Sequence, residues 1–202
     1  MPSAQAPGDL LCAAEYTLEL GDKELDGAVA VRFQSKGKVG TDLLGWVALR
    51  TPKGLLLEGP VESLFSPTAY GLTNDFALDL QHVDVLPGGS PEVVVRVDER
   101  RTMVDVALDE QVQLEDAHVV LLSLDRGKLE RTRKVMLSHR SLRDRVDAKD
   151  TRLPAKYTHS KLLGTGSEYQ MRVAWGGPNQ MTLTRFLGNA APPDQGTITL
   201  FE

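Results

Sequence analysis

Alternation of apolar and polar residues recurs along almost the whole of this 202-residue chain. In residues 76–81 and again in residues 93–98, every second side chain is large and apolar. Successive side chains of a β-strand point to opposite faces, so this period predicts strands with one buried and one solvated face. Short segments of this kind are separated by glycine and proline turns. The sequence therefore predicts an all-β fold, a single antiparallel β-sandwich or open barrel of roughly 10–12 strands with little helix.

A few segments depart from simple alternation or extend it. Residues 118–124 are nearly continuously apolar, which predicts a central strand covered on both faces, followed after a tight turn by a strand over residues 129–137. Residues 104–109 predict a strand separate from that over 93–98. Helix is predicted only over residues 141–149, with a basic surface loop as the alternative. The glycine-rich residues 164–167 are predicted to be a loop.

The chain is expected to form one domain, residues 10–202, after a flexible leader, residues 1–9. Hydrophobic residues make up 41% and charged residues 25%, as in an ordinary globular domain. No apolar run of about 18 residues is present, so a transmembrane helix is not predicted. The leader has no signal-peptide pattern, and leaders of this kind also follow a removed export signal. The sequence predicts a soluble protein, either cytoplasmic or a mature exported domain, and indicates no oligomeric state.

The familiar motifs of catalysis and cofactor binding are missing: a Gly-x-Ser-x-Gly elbow, a His-Glu-x-x-His pair, a P-loop and a dinucleotide fingerprint. His82, His118, His139 and His159 show no metal-ligand spacing, so neither zinc nor another cofactor is predicted. His82 and His118 are expected to be core or strand-end histidines. Ser138 and His139 would diverge on a strand, which argues against a local dyad. A site built from distant residues stays open, because triads are defined by geometry. On balance, an enzyme is not expected.

Residues 84–92 carry a pattern related to calcium binding. Asp84 ends a strand, a proline-glycine turn follows, and Glu92 opens a run of valines. The segment resembles the Asp-x-Asp-Gly-Asp-Gly-x-x-Glu loop of FG-GAP or VCBS-type β-repeats, and the resemblance implies calcium ligands at Asp84, Glu92 and nearby Asp79. Positions where that loop has further acidic ligands hold Leu86, Gly88 and Ser90. Calcium takes six to eight oxygen ligands, so a plain hairpin turn is the alternative interpretation.

The most concentrated charge lies between residues 126 and 145. Eight lysines or arginines accompany two carboxylates there, a net charge of +6 in a chain whose net charge is −5. This asymmetry predicts a local positive potential that attracts another protein or an anionic ligand. The predicted partner-binding residues are Arg131, Arg133, Lys134, Arg140, Arg143 and Arg145.

Strand geometry divides these basic residues into two expected clusters. Arg131 and Arg133 share a face of the predicted strand, whereas Arg140, Arg143 and Arg145 are expected beyond its end. No aromatic residue interleaves the stretch, so nucleic acid is not the predicted partner. A solvated edge strand, or pairing of these cations with the acidic remainder of the chain, is the alternative.

Three classes of function follow from the sequence. The first is a non-enzymatic interaction or accessory domain that binds another macromolecule through the basic surface. The second is a lipocalin-like barrel that binds a small apolar ligand in a cavity lined by Trp46, Phe76 and Trp175. The third is a hydrolase or cyclase whose active site is dispersed along the chain.

Overall fold

The structure is a computed structural model that describes residues 9–16, 27–67, 74–86, 92–105, 110–125, 128–146 and 160–201. All the regular secondary structure in these residues is β-strand, so the described residues contain no helix that could cross a membrane. The strands, in chain order, are β1 (Asp9–Tyr16), β2 (Gly27–Lys36), β3 (Gly40–Thr51), β4 (Gly54–Pro67), β5 (Asp75–Val83), β6 (Glu92–Asp105), β7 (Glu110–Asp125), β8 (Lys128–Arg131), β9 (Val135–Val146), β10 (Ser160–Gly176), β11 (Gln180–Gly188) and β12 (Gly196–Thr199).

The strands form two antiparallel sheets. β1 to β4 form a four-stranded sheet in chain order. The larger sheet has eight strands in the order β12-β11-β10-β9-β7-β6-β5, and β8 pairs with the part of β7 that β9 does not reach. The sheets are not closed into a barrel, because β1, β4, β5 and β12 remain at their edges. The expected all-β sandwich or open barrel is confirmed.

The first hydrophobic core lies between the two sheets. Val93, Val95 and Val97 of β6 point into it because they are two residues apart, and they pack with Val47 and Leu49 of β3. All five side chains are fully buried. Burial of each contributes roughly 1.5–3 kcal/mol, so alternation is the main link between this sequence and the stacking of the sheets.

The second core lies on the opposite face of β6 and β7. Val94 of β6 and Leu121 of β7 pack there in one cluster with Met181 of β11. β11 belongs to the same sheet as β6 and β7, so this sheet must curve to enclose the second core. After β10, the backbone N–H of Asn179 donates to the carbonyl oxygen of Val85, just beyond β5, at 2.6 Å.

β6 and β7 therefore form a wall shared by the two cores. Residues 118–124 of β7 are buried at every position, as their continuous apolar character predicts. We refer to β6 and β7 together as the shared wall.

Two strand predictions are wrong. Residues 93–98 and the start of the predicted 104–109 strand belong to one strand, β6, and residues 106–109 lie outside the described residues. The predicted strand over 129–137 is interrupted at residues 132–134. There the buried Thr132 hydroxyl accepts the N–H of Leu121 at 3.0 Å, and the Thr132 N–H donates to the Leu121 carbonyl oxygen at 3.0 Å. The Thr132 side chain thus takes the place of a backbone acceptor in the pairing with β7.

The predicted helix or basic loop over 141–149 is also wrong where it can be compared. β9 continues to Val146 and pairs with β7 and β10 on its two sides, while residues 147–149 lie outside the described residues. The predicted loop over 164–167 lies inside β10. His118 is buried in the core, and His82 lies exposed near the end of β5, which are the two kinds of position expected for these histidines. The predicted leader lies outside the described residues except for Asp9, which begins β1.

The three aromatic residues of the lipocalin-like hypothesis do not share a cavity. Phe76 belongs to the first core, where its ring faces Gly45 of β3. Trp46 is the next residue of β3 and packs against Gly59, so it lies on the other face of that strand. Trp175 is 39% exposed on β10. With open sheets and these placements, the described residues do not form the barrel interior that this hypothesis needs.

Candidate functional site

A chain of hydrogen bonds joins three strands of the larger sheet. His139 of β9 lies opposite Asp116 of β7, and its Nδ1 is 2.6 Å from Asp116 Oδ1. The other ring nitrogen, Nε2, is 3.0 Å from the hydroxyl oxygen of Ser167 on β10. We call Ser167, His139 and Asp116 the relay.

Ser167 is positioned by a bulge in β10. The register with β9 jumps from Thr165 to Glu168, which leaves Gly166 and Ser167 outside the ladder. Asn189 holds this segment: its side chain accepts the N–H of Glu168 at 2.9 Å and donates to the carbonyl oxygen of Gly166 at 3.3 Å. The glycine-rich segment that was predicted to be a loop is therefore a bulge that directs Ser167 towards His139.

Gly188 of β11 allows the close approach that this bulge requires. Its φ is 112°, in the region that favours glycine, and an added Cβ would lie 2.1 Å from the carbonyl oxygen of Glu168. A side chain at this position would force the β10 and β11 backbones apart next to Ser167.

Asp116 anchors the other end of the relay. It is 6% exposed, and Arg101 of β6 donates to its Oδ2, which leaves Oδ1 for His139. The guanidinium group supplies the opposite charge that a buried carboxylate needs. Asp116 Oδ1 accepts a hydrogen bond from Nδ1–H, which leaves Nε2 as the acceptor of a hydrogen bond from the Ser167 hydroxyl group. The network therefore sets the tautomer of His139.

A groove of about 520 Å³ opens beside the relay. It crosses β5, β6, β7, β9 and β10, and β2 borders it through Arg32. Six carboxylates and three arginines line it, namely Asp75, Asp98, Glu99, Glu115, Asp116 and Glu168 with Arg32, Arg100 and Arg140. Its volume suits a small molecule or a short chain segment.

A second polar cluster is buried between the two sheets. It contains Glu62 of β4, Glu99 of β6 and His118 of β7, and His118 Nε2 lies 3.0 Å from Glu62 Oε2. Burial alone would raise the pKa of Glu62, but the close polar contact with His118 and the hydrogen bonds from Lys134 and the Ser63 N–H outweigh it and hold the pKa at about 2. Burial and the negative charge of Glu62 raise the pKa of Glu99. The two neighbouring carboxyl groups thus differ in their affinity for a proton.

The predicted partner-binding residues do not converge on one surface. Arg131 and Arg133 line a second groove of about 610 Å³, whereas Arg140 lines the groove beside the relay. At about 3.3 Å per residue, Arg133 and Arg140 are roughly 20 Å apart along the chain. The side chain of Arg145 is not among those that the structure describes.

Most of these cations have acidic partners in the structure. Arg131 lies 3.7 Å from Glu58, Arg133 lies 2.7 Å from Asp194, and Lys134 lies 2.6 Å from Glu62. Arg140 is 3.7 Å from Glu115 and 3.9 Å from Glu168, and Arg143 also interacts with a neighbour. Intramolecular pairing therefore accounts for much of the charge that the sequence concentrates here.

The candidate calcium ligands are not gathered into one cluster. The buried Glu92 accepts the backbone N–H groups of Val85 and Leu86 at 2.9 and 3.4 Å. Asp84 is exposed, and Asp79 of β5 accepts a hydrogen bond from Gln81. Among the described residues, three metal-ligating side chains come together only at Glu62, Glu99 and His118. The Glu92 carboxylate acts here as a cap for backbone N–H groups.

The relay was not found from the sequence. Its three residues are separated by 23 and 28 positions, and only the register of β7, β9 and β10 brings them together. Fold and site define an all-β protein with two antiparallel sheets and a Ser-His-Asp relay beside a polar groove. The chain matches no family model, no curated protein and no solved structure.

Proposed function

We propose that this protein is a hydrolase that acts by acyl transfer, with Ser167 as the nucleophile. The observation that supports this proposal is the relay, with contacts of 3.0 Å from Ser167 to His139 and 2.6 Å from His139 to Asp116, together with a groove that His139 and Asp116 line. A nucleophile, a base within hydrogen-bonding distance and a group that orients the base are the parts such chemistry requires.

In the proposed reaction, the Ser167 oxygen attacks the carbonyl carbon of a bound ester while its proton moves to His139 Nε2. Asp116 stabilises the resulting imidazolium through Nδ1. His139 then returns the proton to the leaving alcohol as the carbon–oxygen bond breaks, and water releases the acid from Ser167 by the same steps.

Arg101 shares the Asp116 carboxylate with His139. Part of the carboxylate charge therefore faces the guanidinium group rather than the imidazolium that forms during the reaction. We therefore expect activity first on esters with good leaving groups, such as p-nitrophenyl acetate.

The test is covalent labelling of the intact protein with a fluorophosphonate, followed by peptide mass spectrometry. We expect one phosphonyl group on Ser167, and labelling reduced at least tenfold in His139→Asn, because the base is lost. Ser35→Ala, at an exposed serine near the end of β2, is the matched control and should label as the wild type does. No label on Ser167 of the folded protein, or equal labelling in His139→Asn, would falsify the proposal.

A second candidate function is the interaction domain that binds an anionic partner. The observation that favours it is the 610 Å³ groove, which Lys128, Arg131 and Arg133 line with Glu130 as the lone carboxylate. Arg131 and Arg133 retain about half or more of their exposure despite their ion pairs. These side chains are therefore available to an anionic ligand at low salt.

Retention on a heparin column distinguishes binding at this groove from non-specific attraction to positive surface charge. Arg131→Ser with Arg133→Ser should elute at lower salt than Arg172→Ser with Arg185→Ser, which removes the same charge from exposed positions of β10 and β11. Equal elution of the two double variants would exclude the groove as the binding surface.

A further inference from the structure

Three potential metal ligands from different strands meet between the sheets. Glu62, Glu99 and His118 each offer one ligand atom, and these atoms all lie within 4.8 Å of one another. Glu62 and His118 are almost completely buried and Glu99 is mostly buried. Strands β4, β6 and β7 hold them, so the cluster is fixed by the packing of one sheet on the other.

His118 provides a second, independent observation at this cluster. Its side chain is 3% exposed, and its Nε2 has no hydrogen-bond partner among the described residues. Nε2 is 3.0 Å from Glu62 Oε2, but the contact does not have the direction that a hydrogen bond requires. A buried polar nitrogen without a partner costs about 1–3 kcal/mol, and a bound cation would remove that cost.

The charges around His118 leave room for one more cation. Glu62, Glu99 and Asp116 are three mostly buried carboxylates, and their cationic partners are Arg101 and Lys134. A divalent cation bound among these carboxylates would be balanced by their charge.

The donor set indicates the class of ion. One imidazole nitrogen and two carboxylate oxygens suit zinc or a neighbouring transition metal better than magnesium or calcium, which prefer oxygen ligands alone. Two ligands at about 2.1 Å from one ion are at most about 4.2 Å apart. A separation at the 4.8 Å limit needs to close by about 0.6 Å to reach this span, which rotation of a glutamate side chain provides.

Lys134 occupies the place of a cation beside Glu62. Its ammonium nitrogen lies 2.6 Å from Glu62 Oε2, while 49% of its side chain is exposed. The residue lies in the interruption between β8 and β9, so its flexible stem can withdraw towards solvent. Lysine and metal would then compete for one carboxylate.

We propose that Glu62, Glu99 and His118 form a divalent transition-metal site of the zinc class, in which Lys134 competes with the ion for Glu62. This inference goes beyond the proposed hydrolase: the relay residues are not ligands, and labelling of Ser167 can be measured separately.

The test is titration of chelator-treated full chain with zinc chloride by isothermal calorimetry. We expect one equivalent per chain in the wild type and a raised melting temperature, because an ion that binds only the folded state stabilises it. Glu99→Gln should weaken zinc binding at least tenfold. Glu58→Gln, which removes the same charge from β4, is the matched control and should bind as the wild type does.

Lys134→Met provides a second and opposite readout. Loss of the competing ammonium group should tighten zinc binding at least tenfold, and a merely structural cluster does not predict this gain. Cobalt(II) should bind to the same protein and give visible absorption bands of low-symmetry coordination, which Glu99→Gln should lose. Absence of stoichiometric binding, equal binding in Glu99→Gln, or weaker binding in Lys134→Met would each overturn the proposal.

Discussion

At the scale of single residues, Glu92 is a buried carboxyl group that accepts backbone hydrogen bonds although its surroundings disfavour its ionised form. It is fully buried, one oxygen caps the N–H groups that follow β5, and the other has no hydrogen-bond partner among the described residues. Burial and the nearby charge of Asp84 raise the pKa of Glu92, although its backbone hydrogen bonds lower it in part. Its protonated form therefore fits the fold better than its ionised form.

This environment predicts a pH dependence that Glu92→Gln should remove. A carboxyl group with a raised pKa contributes stability that is complete below its ordinary value of 4.5 and is lost as the pH rises through the folded value. The wild type should therefore gain melting temperature relative to Glu92→Gln as the pH falls from about 7 to about 4.5. Parallel melting profiles for the two proteins over this range would contradict the account.

At the scale of elements, the interruption between β8 and β9 uses a side chain to complete a ladder. The Thr132 hydroxyl accepts the N–H of Leu121 and donates to the carbonyl oxygen of Arg133, both at 3.0 Å. Leu121 lies in the shared wall, where water does not compensate for a lost hydrogen bond. The interruption is therefore a stabilised part of the sheet.

Thr132→Val tests this role because it keeps the shape and removes the hydroxyl. The buried N–H of Leu121 would lose its partner, at a cost of about 1–3 kcal/mol in the free energy of unfolding. Thr184→Val, the same change at an exposed position of β11, should cost less than about 0.5 kcal/mol. Urea denaturation of both variants gives the comparison, and equal losses would show that the Thr132 hydroxyl is dispensable.

Prediction from sequence succeeded where a pattern is local and failed where it depends on pairing. The apolar run over 118–124 depends only on neighbouring residues, and the structure confirms it as a strand buried on both faces. The interruption at Thr132 and the bulge at Ser167 depend on the register between strands, which alternation does not fix.

The candidate site escaped prediction for the same reason. Asp116 and Glu99 resemble ordinary polar residues of an alternating strand, and only cross-strand pairing brings them next to His139 and His118. Histidine spacing indicates only ligands that are near one another in sequence, whereas Glu62 reaches His118 from the other sheet.

At the scale of the whole molecule, the shared wall joins two cores that would otherwise resemble two small domains. Domains separate where few contacts cross a boundary, and here any division would pass through β6 and β7. Both cores are therefore expected to unfold in one transition.

The two tryptophans report on this expectation separately. Trp46 lies in the four-stranded sheet and Trp175 in the larger one, so Trp175→Phe and Trp46→Phe each leave one fluorescent probe. The urea midpoints followed by the two probes should coincide. Leu49→Ala in the first core and Met181→Ala in the second should each cost about 2–5 kcal/mol and move both probes together. Separate midpoints would mean that the cores unfold independently.

The shared wall also limits how this chain can diverge over evolutionary time. A strand with one wet face offers a tolerant position at every second residue, but residues 93–95 and 118–124 have no such positions because each is buried. Accepted substitutions should accumulate on β10, β11 and β12, where exposed residues are frequent. Distant homologues of this chain should therefore share two short valine- and leucine-rich segments about 25 residues apart. The sequence between and around these segments should show no detectable similarity.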